Sequence, residues 1–287
     1  MNQPTVAQAL AAAQTLGLER LDAQLLLLHA LGKPADARAW LLAHDTDELP
    51  EEATLCLRAL SLRRASGEPL AYIVGSTAFF GLKLQVDSRV LIPRPDTETL
   101  VQWSLDLLQA RGLPLPPDIL DLGTGSGAIA LAIAHSLAHG PQLTGRQARI
   151  VAVDASADAL SVARENARLA GLDVQLILSR WFDKVSGHYF LIVGNPPYIA
   201  GTDPHLAALR HEPRMALTSG SDGLDDIRQI TRQAPDYLQS GGWLLLEHGY
   251  DQAFEVRRLL AQRGFSQIQS RRDLAGIERC SGGQWPD

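Results

Sequence analysis

Lysine is almost missing from this chain. Lys33, Lys83 and Lys184 are the only three, so arginine supplies nearly all of the 26 basic residues, which face 32 acidic ones. The formal net charge is −6 and no Lys/Arg block occurs. That argues against sequence-blind nucleic-acid binding through phosphates, and no direct nucleic-acid partner is expected. Cysteine is nearly as scarce. Cys56 and Cys280 lie far apart with no Cys-x-x-Cys spacing, which argues against a disulfide framework or a structural zinc site, and no metal is expected. The first basic residue is Arg20, so the Ala-rich stretch before it lacks the charged start of a signal peptide. No apolar run approaches the roughly 20 residues of a membrane span. There are no internal repeats. A cytoplasmic chain with no membrane partner is expected, and a monomer.

What remains is ordinary for a globular protein: 46% apolar and 20% charged residues in 287, enough for one large or two modest domains. Residues 1–69 read as helices only. Thr5 and Gln8 have capping-box spacing, and Val6, Ala9, Leu10, Ala13 and Leu16 keep helical period up to Gly17. A second helix is expected over 19–31 with Leu21, Leu25 and Leu28 inward and Gly32 past its end. A third fits 36–43. A fourth begins at Pro50-Glu51-Glu52, with Pro at its first position, and turns Ala53, Cys56, Leu57 and Leu60 inward. His29 and His44 have no spacing partner and read as surface or capping residues. This helical bundle carries no chemical motif and reads as a packing or partner-recognition module.

At 70–92 the period changes to alternation, with Leu82, Leu84 and Val86 in step and Gly75 and Gly81 as punctuation. A β-hairpin linker is expected there. The third segment, 93–287, opens with an extended Pro-rich entry. Asp96 or Thr97 then caps a helix to about Arg111, with Leu100, Ser104, Leu107 and Leu108 inward. After a proline-rich break at Leu113–Pro117, strands expected at 119–121, 149–154, 174–178, 189–193 and 243–247 alternate with helices near 126–138, 156–170, 225–239 and 251–263. Such alternation means an α/β fold with a parallel, doubly wound, Rossmann-like sheet. Residues 266–287 are expected to add two antiparallel edge strands.

Two loops at strand ends carry the chemistry. Asp121-Leu122-Gly123-Thr124-Gly125-Ser126-Gly127-Ala128 joins the first strand of the sheet to a helix, where glycines let backbone approach a ligand closely. Gly123, Gly125 and Ala128 also satisfy the dinucleotide fingerprint, so an NAD-type oxidoreductase is one reading. Three details favour S-adenosylmethionine instead. Asp121 ends the strand where a carboxylate could meet the cofactor's ammonium, the third glycine falls at 127, and no hydride-transfer partners follow. Asp154 ends the next strand and can accept both ribose hydroxyls. It lies 31 residues beyond Gly123, against a usual spacing of roughly 20, and the Gly140–Gln147 loop supplies the excess. Trp181 can flank an adenine by stacking, or simply cover the sheet end.

The second loop is Gly194-Asn195-Pro196-Pro197-Tyr198, after the apolar run 189–193. Neither proline can donate an N–H, so the turn cannot extend a ladder, and both stiffen it. In an open α/β sheet it faces the same crevice as the glycine loop. A planar –NH2 has its lone pair tied up in resonance and offers two donors. The Asn195 side-chain oxygen and the Pro196 carbonyl can each accept one, which shifts electron density onto the nitrogen and aims it at a methyl sulfonium. Tyr198 can stack on the planar group. Catalysis is then mostly positioning.

Asn195-Pro-Pro-Tyr resembles the motif of amino-methyltransferases acting on adenine, guanine or protein glutamine. The wider set is more selective: Ile92-Pro-Arg-Pro-Asp-Thr-Glu98, Asp121 to Gly127, Asn195-Pro-Pro-Tyr-Ile199, His211-Glu-Pro213, Asp222-Gly-Leu224, Leu246-Glu-His-Gly249 and Asp273-Leu-Ala-Gly276. Together these resemble the protein-(glutamine-N5) methyltransferases of peptide chain release factors, the HemK/PrmC family. The resemblance implies a class I S-adenosylmethionine-dependent methyltransferase fold and a Gly-Gly-Gln glutamine of class 1 release factors as substrate. It places the cofactor on Asp121, Gly123, Thr124, Gly125, Ser126, Gly127, Asp154, Trp181 and Asn195. The substrate falls on Asn195, Pro196, Pro197 and Tyr198, with Asn195, Pro196 and Tyr198 catalytic, and the N-terminal domain grips the release factor. Glutamine of ribosomal protein L3 and nucleic-acid amino groups are the alternative substrates, and a non-catalytic cofactor-binding module is the alternative role. Three positions depart from the pattern: Arg180 stands where an acid often precedes the Trp, Phe190 where an Asp often stands, and the tail Cys280–Asp287 lacks the usual Gly-Arg. Gly282-Gly283-Gln284 in that tail matches the target tripeptide by chance.

Overall fold

The capping box at the N-terminus forms as its spacing predicts. Thr5 Oγ1 accepts from the Gln8 amide and the Gln8 side chain accepts from the Thr5 amide, opening α1 (Val6–Thr15). The computed structural model describes residues 3–109, 117–140 and 148–286 and divides into two units, Met1–Ser76 and Thr77–Asp287. In the first unit α1 is followed by α2 (Arg20–Ala30), α3 (Arg38–Ala43), α4 (Glu51–Ala65) and α5 (Leu70–Val74). Its core is built on Val6, Leu26, Leu27, Leu28, Leu41 and Leu57.

The inward face of α2 differs from expectation. Ala23, Leu26, Leu27 and Leu28 are buried, Leu25 is half-buried and Leu21 is exposed. Four consecutive leucines fit several helical faces, and packing against α1 and α4 selects among them. Pro50 is the cap of α4 and not its first residue. His44 caps α3, its Nδ1 2.8 Å from the Trp40 carbonyl. The hairpin is also shorter than 70–92. Leu70–Val74 is a helical turn that starts after Pro69 and stops at Gly75, whose φ of 74° is left-handed. Only β1 (Ser76–Phe79) and β2 (Leu82–Gln85) pair.

In the second unit a 3-10 turn, Pro95–Thr97, leads into α6 (Glu98–Gln109). Then come β3 (Asp118–Leu122), α7 (Ala128–His139), β4 (Arg149–Asp154), α8 (Ala157–Ala170), β5 (Gln175–Leu178) and β6 (Tyr189–Gly194). The expected helix end near Arg111, most of the proline-rich break and the insert after Gly140 lie outside the described residues. The chain continues through α9 (Asp225–Gln233), β7 (Leu238–Glu247), α10 (Ala253–Arg263), β8 (Ser266–Arg272) and β9 (Glu278–Gln284). The helix expected to reach 239 ends at Gln233. Pro235 lacks the N–H that the next α-turn needs, so residues 234–237 tighten to a 3-10 turn and β7 begins at once.

The seven strands run in the order β5-β4-β3-β6-β7-β9-β8, parallel from β5 to β7 and antiparallel beyond. Of the two C-terminal strands only β8 is an edge. The glycines of the last strand admit it to the interior: a Cβ on Gly282 would run into the Leu245 side chain and the Leu244 carbonyl. Gly282-Gly283-Gln284 is therefore sheet, paired with Leu245, Leu244 and Trp243. Apolar side chains fill both faces of the sheet. Ile119, Leu191, Val193 and Leu245 lie in one core with α6 and α7, and Leu120, Leu122, Ile192 and Leu246 lie in the other with α9 and α10. Phe190, one of the three departures, is 6% exposed and belongs to the first core.

Candidate functional site

The chain runs from β3 outward through β4 to β5, then crosses to the far side of β3 to lay down β6. Ligands of open α/β sheets bind at such a reversal, beyond the carboxyl ends of the strands. Here the register is specific. Leu122 of β3 pairs with Gly194 of β6, so Gly123 and Asn195 leave the sheet from adjacent positions, strands being about 4.8 Å apart. Gly194 makes that fit. A Cβ there would stand 2.9 Å from the Leu122 carbonyl oxygen.

The two loops share one cavity of about 440 Å³, with Gly123, Gly125, Asp154, Trp181, Asn195 and Pro197 in its walls. Gly123, Gly125 and Gly127 have φ of 71°, 55° and 86°, which only glycine adopts without strain. The amides of Gly123 and Thr124 bond the Val153 carbonyl at 2.9 Å. Asp154 accepts from Gly125 at 2.8 Å and from Ser156 at 2.8 Å. Burial raises its pKa and these backbone bonds oppose the rise. A carboxylate has about four lone-pair sites, so these amides leave Asp154 able to accept from a further donor.

Asp121 behaves differently from the expectation that it meets an ammonium group. It has no exposed surface and does not line the cavity. Its Oδ2 accepts from the Thr124 hydroxyl at 2.7 Å and from the Ala130 amide at 3.3 Å, while Oδ1 has no partner. It ties the glycine loop to the first turn of α7, and burial pushes its pKa up to about 7. Thr124, Ser126 and Gly127 likewise sit within the loop's framework and off the cavity wall.

Trp181 does reach the cavity. Its indole lies over Gly123, with Cζ3 3.3 Å from where a Cβ would be, and its Nε1 donates to Asp226 at 3.1 Å. Its φ is 46°, a left-handed value costly for an aromatic residue. Arg180 beside it is exposed and also lines the cavity.

Asn195 also borders a smaller cavity of about 160 Å³, walled by Leu91, Arg94, Asn195, Tyr198, Ile199 and Leu217. Asn195 is thus common to both. Pro196 is buried and Pro197 half-buried. The Tyr198 carbonyl is held by Gln252 Nε2 at 3.0 Å. A Cβ on Gly223 would collide with that same carbonyl. The Tyr198 hydroxyl donates to Glu247 Oε1 at 3.3 Å, and burial raises the phenol's pKa.

Sequence reasoning missed several wall residues. Leu91 and Ala216 border both cavities, and nothing in their types marks them. Glu212 fixes that wall: its carboxylate accepts from the Ile92 amide at 3.1 Å and pairs with Arg94, although its side chain is 3% exposed. Glu247 had a signal. It ends a strand of the parallel set, as Asp121 and Asp154 do.

Comparison with known proteins covers most of the chain. A family model described as the PrmC N-terminal domain matches residues 5–75, and one described as the methyltransferase small domain matches residues 105–221. The chain is 48% identical over 271 residues to a release factor glutamine methyltransferase of Bordetella pertussis, covering 93% of this chain and 95% of that one. It is 48% identical over 270 residues to the protein of that name from Pseudomonas aeruginosa, covering 93% and 92%. A solved methyltransferase from Pyrococcus furiosus has the same fold, with a TM-score of 0.52 at 18% identity over 73% of this chain and 92% of that one.

Proposed function

The chain belongs to the release factor glutamine methyltransferase family, and on that premise we propose how its site works and on what. Its sheet is that of class I S-adenosylmethionine-dependent methyltransferases. The reaction we assign is methyl transfer from S-adenosylmethionine to the side-chain N5 of the glutamine in the Gly-Gly-Gln motif of class 1 peptide chain release factors, in the cytoplasm. One observation carries the reading: Leu122 and Gly194 are register partners, so the glycine loop and the Asn-Pro-Pro-Tyr loop open onto one cavity.

The residues present fit the cofactor. Gly123 and Gly125 leave room for close approach of the backbone, Asp154 keeps acceptors for the ribose hydroxyls, and Trp181 offers a flat apolar wall for adenine. When bound, S-adenosylmethionine supplies an electrophilic methyl group. The chain's own part is to hold the acceptor. Asn195 Oδ1 and the Pro196 carbonyl accept the two N–H groups of the glutamine amide and fix its plane. Tyr198, stiffened by Pro196 and Pro197, lies against that plane. No strong base is required, because the methylated nitrogen becomes acidic and gives its proton to water. The smaller cavity, between Arg94 and Tyr198, suits an uncharged side chain that ends in an amide. We assign the N-terminal helical unit to gripping the release factor.

Ribosomal protein L3 and nucleic-acid bases are not favoured as substrates, since the relatives named for release factors match over nearly their full length. The test is to incubate the protein with methyl-labelled S-adenosylmethionine and purified release factor, beside a control release factor whose Gly-Gly-Gln glutamine is Ala. Label on the first alone is expected. Equal label on both would overturn the assignment.

A further inference from the structure

Two glycines before a glutamine show an enzyme little besides main chain, so the residues around the target must be held through their carbonyls and amides. A carbonyl that leaves water needs a donor in exchange. Most donors in the wall of the smaller cavity are already committed. The Asn195 Nδ2 donates to Thr97 Oγ1 at 3.3 Å, and the Tyr198 hydroxyl donates to Glu247 Oε1 at 3.3 Å. The amides of Ile199, Leu209, Ala216 and Leu217 each bond a carbonyl of this chain. The remaining side-chain donor in that wall is Arg94.

Arg94 is held in place without being used up. Pro93 and Pro95 flank it, and its φ of −96° and ψ of 145° are the extended values that a following proline enforces. Its Nη2 donates to Glu212 Oε1. The Glu212 side chain is 3% exposed, and its Oε2 accepts from the Ile92 amide at 3.1 Å. One buried carboxylate therefore fixes both the guanidinium and the backbone two residues before it. The Glu212 amide in turn bonds the Leu209 carbonyl at 2.9 Å. A guanidinium carries more N–H donors than one carboxylate oxygen can take. Among the described residues Glu212 is the only hydrogen-bond partner of the Arg94 side chain, which stays 36% exposed at the cavity.

We propose that Arg94, oriented by Glu212, binds a main-chain carbonyl of the glycine-rich loop that carries the target glutamine, and that this contact governs affinity for release factor and not the rate of methyl transfer. The inference rests on the reading of the release factor glutamine as the substrate. A guanidinium only donates, so its partner is a carbonyl and never an amide N–H. The glutamine's own side-chain carbonyl is the wrong one. A cation there would draw density toward oxygen through the amide resonance and away from the nitrogen that must attack the methyl group. A main-chain carbonyl is not conjugated with that nitrogen and carries no such penalty. Glycine beside the target also lets the substrate backbone approach the guanidinium closely, where a side chain would hold it off. Arg94 is thus a substrate-binding residue and Glu212 its positioning residue.

The test uses the full-length chain carrying Arg94→Met, Glu212→Gln or both. Methyl transfer is followed over a range of release factor concentrations, and S-adenosylmethionine affinity is read by calorimetry. Arg94→Met is expected to raise KM for release factor by about 10–100-fold, the worth of one hydrogen bond from a charged group. Its kcat and its S-adenosylmethionine affinity should stay within about threefold of wild type, as when binding common to ground and transition states is removed. Glu212→Gln loosens the guanidinium without removing it and should raise KM by less. The double variant separates binding from charge balance, because it leaves no unpaired buried carboxylate. Its KM should stay as high as that of Arg94→Met. A double variant that returns to the wild-type KM would show that Arg94 only neutralises Glu212, and would overturn the proposal. So would an unmoved KM in Arg94→Met, or a loss carried by kcat. If Arg94→Met does not fold, the double variant decides by the same KM. A wild-type chain inactive on release factor would overturn the proposed function and this inference with it, whereas an active wild type with an unmoved KM in the variants overturns this inference alone.

Discussion

Replacing Asp121 with Asn tests the electrostatics beneath the glycine loop. Asp121 has no exposed surface, two donors on Oδ2 and none on Oδ1. Burial therefore holds its folded-state pKa at about 7, against the ordinary 3.8. The sign follows from proton counting. Between these values the folded chain holds a proton that the unfolded chain has released, so the contribution to stability is full below pH 3.8 and is lost as pH rises toward 7. Between pH 5 and pH 8 the loss amounts to about 2.5 kcal/mol, at 1.36 kcal/mol per pH unit with the ends rounded by partial titration. The amide in Asp121→Asn does not titrate, so the difference in unfolding free energy between variant and wild type should move by that amount in the variant's favour from pH 5 to pH 8. The fixed cost of an unpaired amide NH2 at the Oδ1 position, and the titration of Glu247, are common to both pH values or both proteins and cancel. Urea unfolding of both proteins at the two pH values measures it. A difference that stays within about 0.5 kcal/mol across the range would show that Asp121 titrates normally and that the loop is not built on a buried acid.

Asn195→Ala should leave S-adenosylmethionine affinity, read by calorimetry, within a few-fold, and lower kcat by about 10²–10³-fold, the usual cost of one preorganised transition-state partner. Gly282→Ala places a methyl against Leu245 and the Leu244 carbonyl inside the sheet and should cost about 1–3 kcal/mol or more in denaturant unfolding, as overpacking does. Asn166→Leu should cost about 3 kcal/mol in the same assay, because it strands the Gln85 amide and the Gln85 and Ser126 carbonyls that the side chain now satisfies at 2.7, 3.0 and 2.8 Å.

The parallel sheet was legible because its strands are apolar runs bounded by glycine loops and separated by helical period, and both chemical loops fall at strand ends. Three features were not legible, each for a physical reason. The face of α2 was ambiguous because four leucines in a row carry no periodicity, and neighbours made the choice. The helical turn Leu70–Val74 is too short for a period to show, and its apolar, partly β-branched residues read equally as strand. The placement of β9 inside the sheet depends on which side chains cross from Trp103 and Leu245, a long-range fact that the tail's own glycines hint at but do not state. At the site, Asp154 and Trp181 lie on the cavity wall. Asp121 does not, because a residue type and a strand end do not say whether a carboxylate faces outward or down.

The paired exits of the two loops explain why so few residues need to be special. Once Leu122 and Gly194 are neighbours in register, the distance between a ligand on the glycine loop and a group held by Asn195 is set by the sheet, the stiffest part of the unit. The loops then need only local rigidity, which φ values of 55–86° give the one and two prolines give the other. What the sheet cannot supply is the sense of a hydrogen bond, donor or acceptor, at each atom of the cradle. That must come from hydrogen-bond partners outside the loop. At the far side of the loop the Tyr198 hydroxyl donates to Glu247 Oε1 at the end of the next strand, and at the near side the Asn195 Nδ2 donates to Thr97 Oγ1.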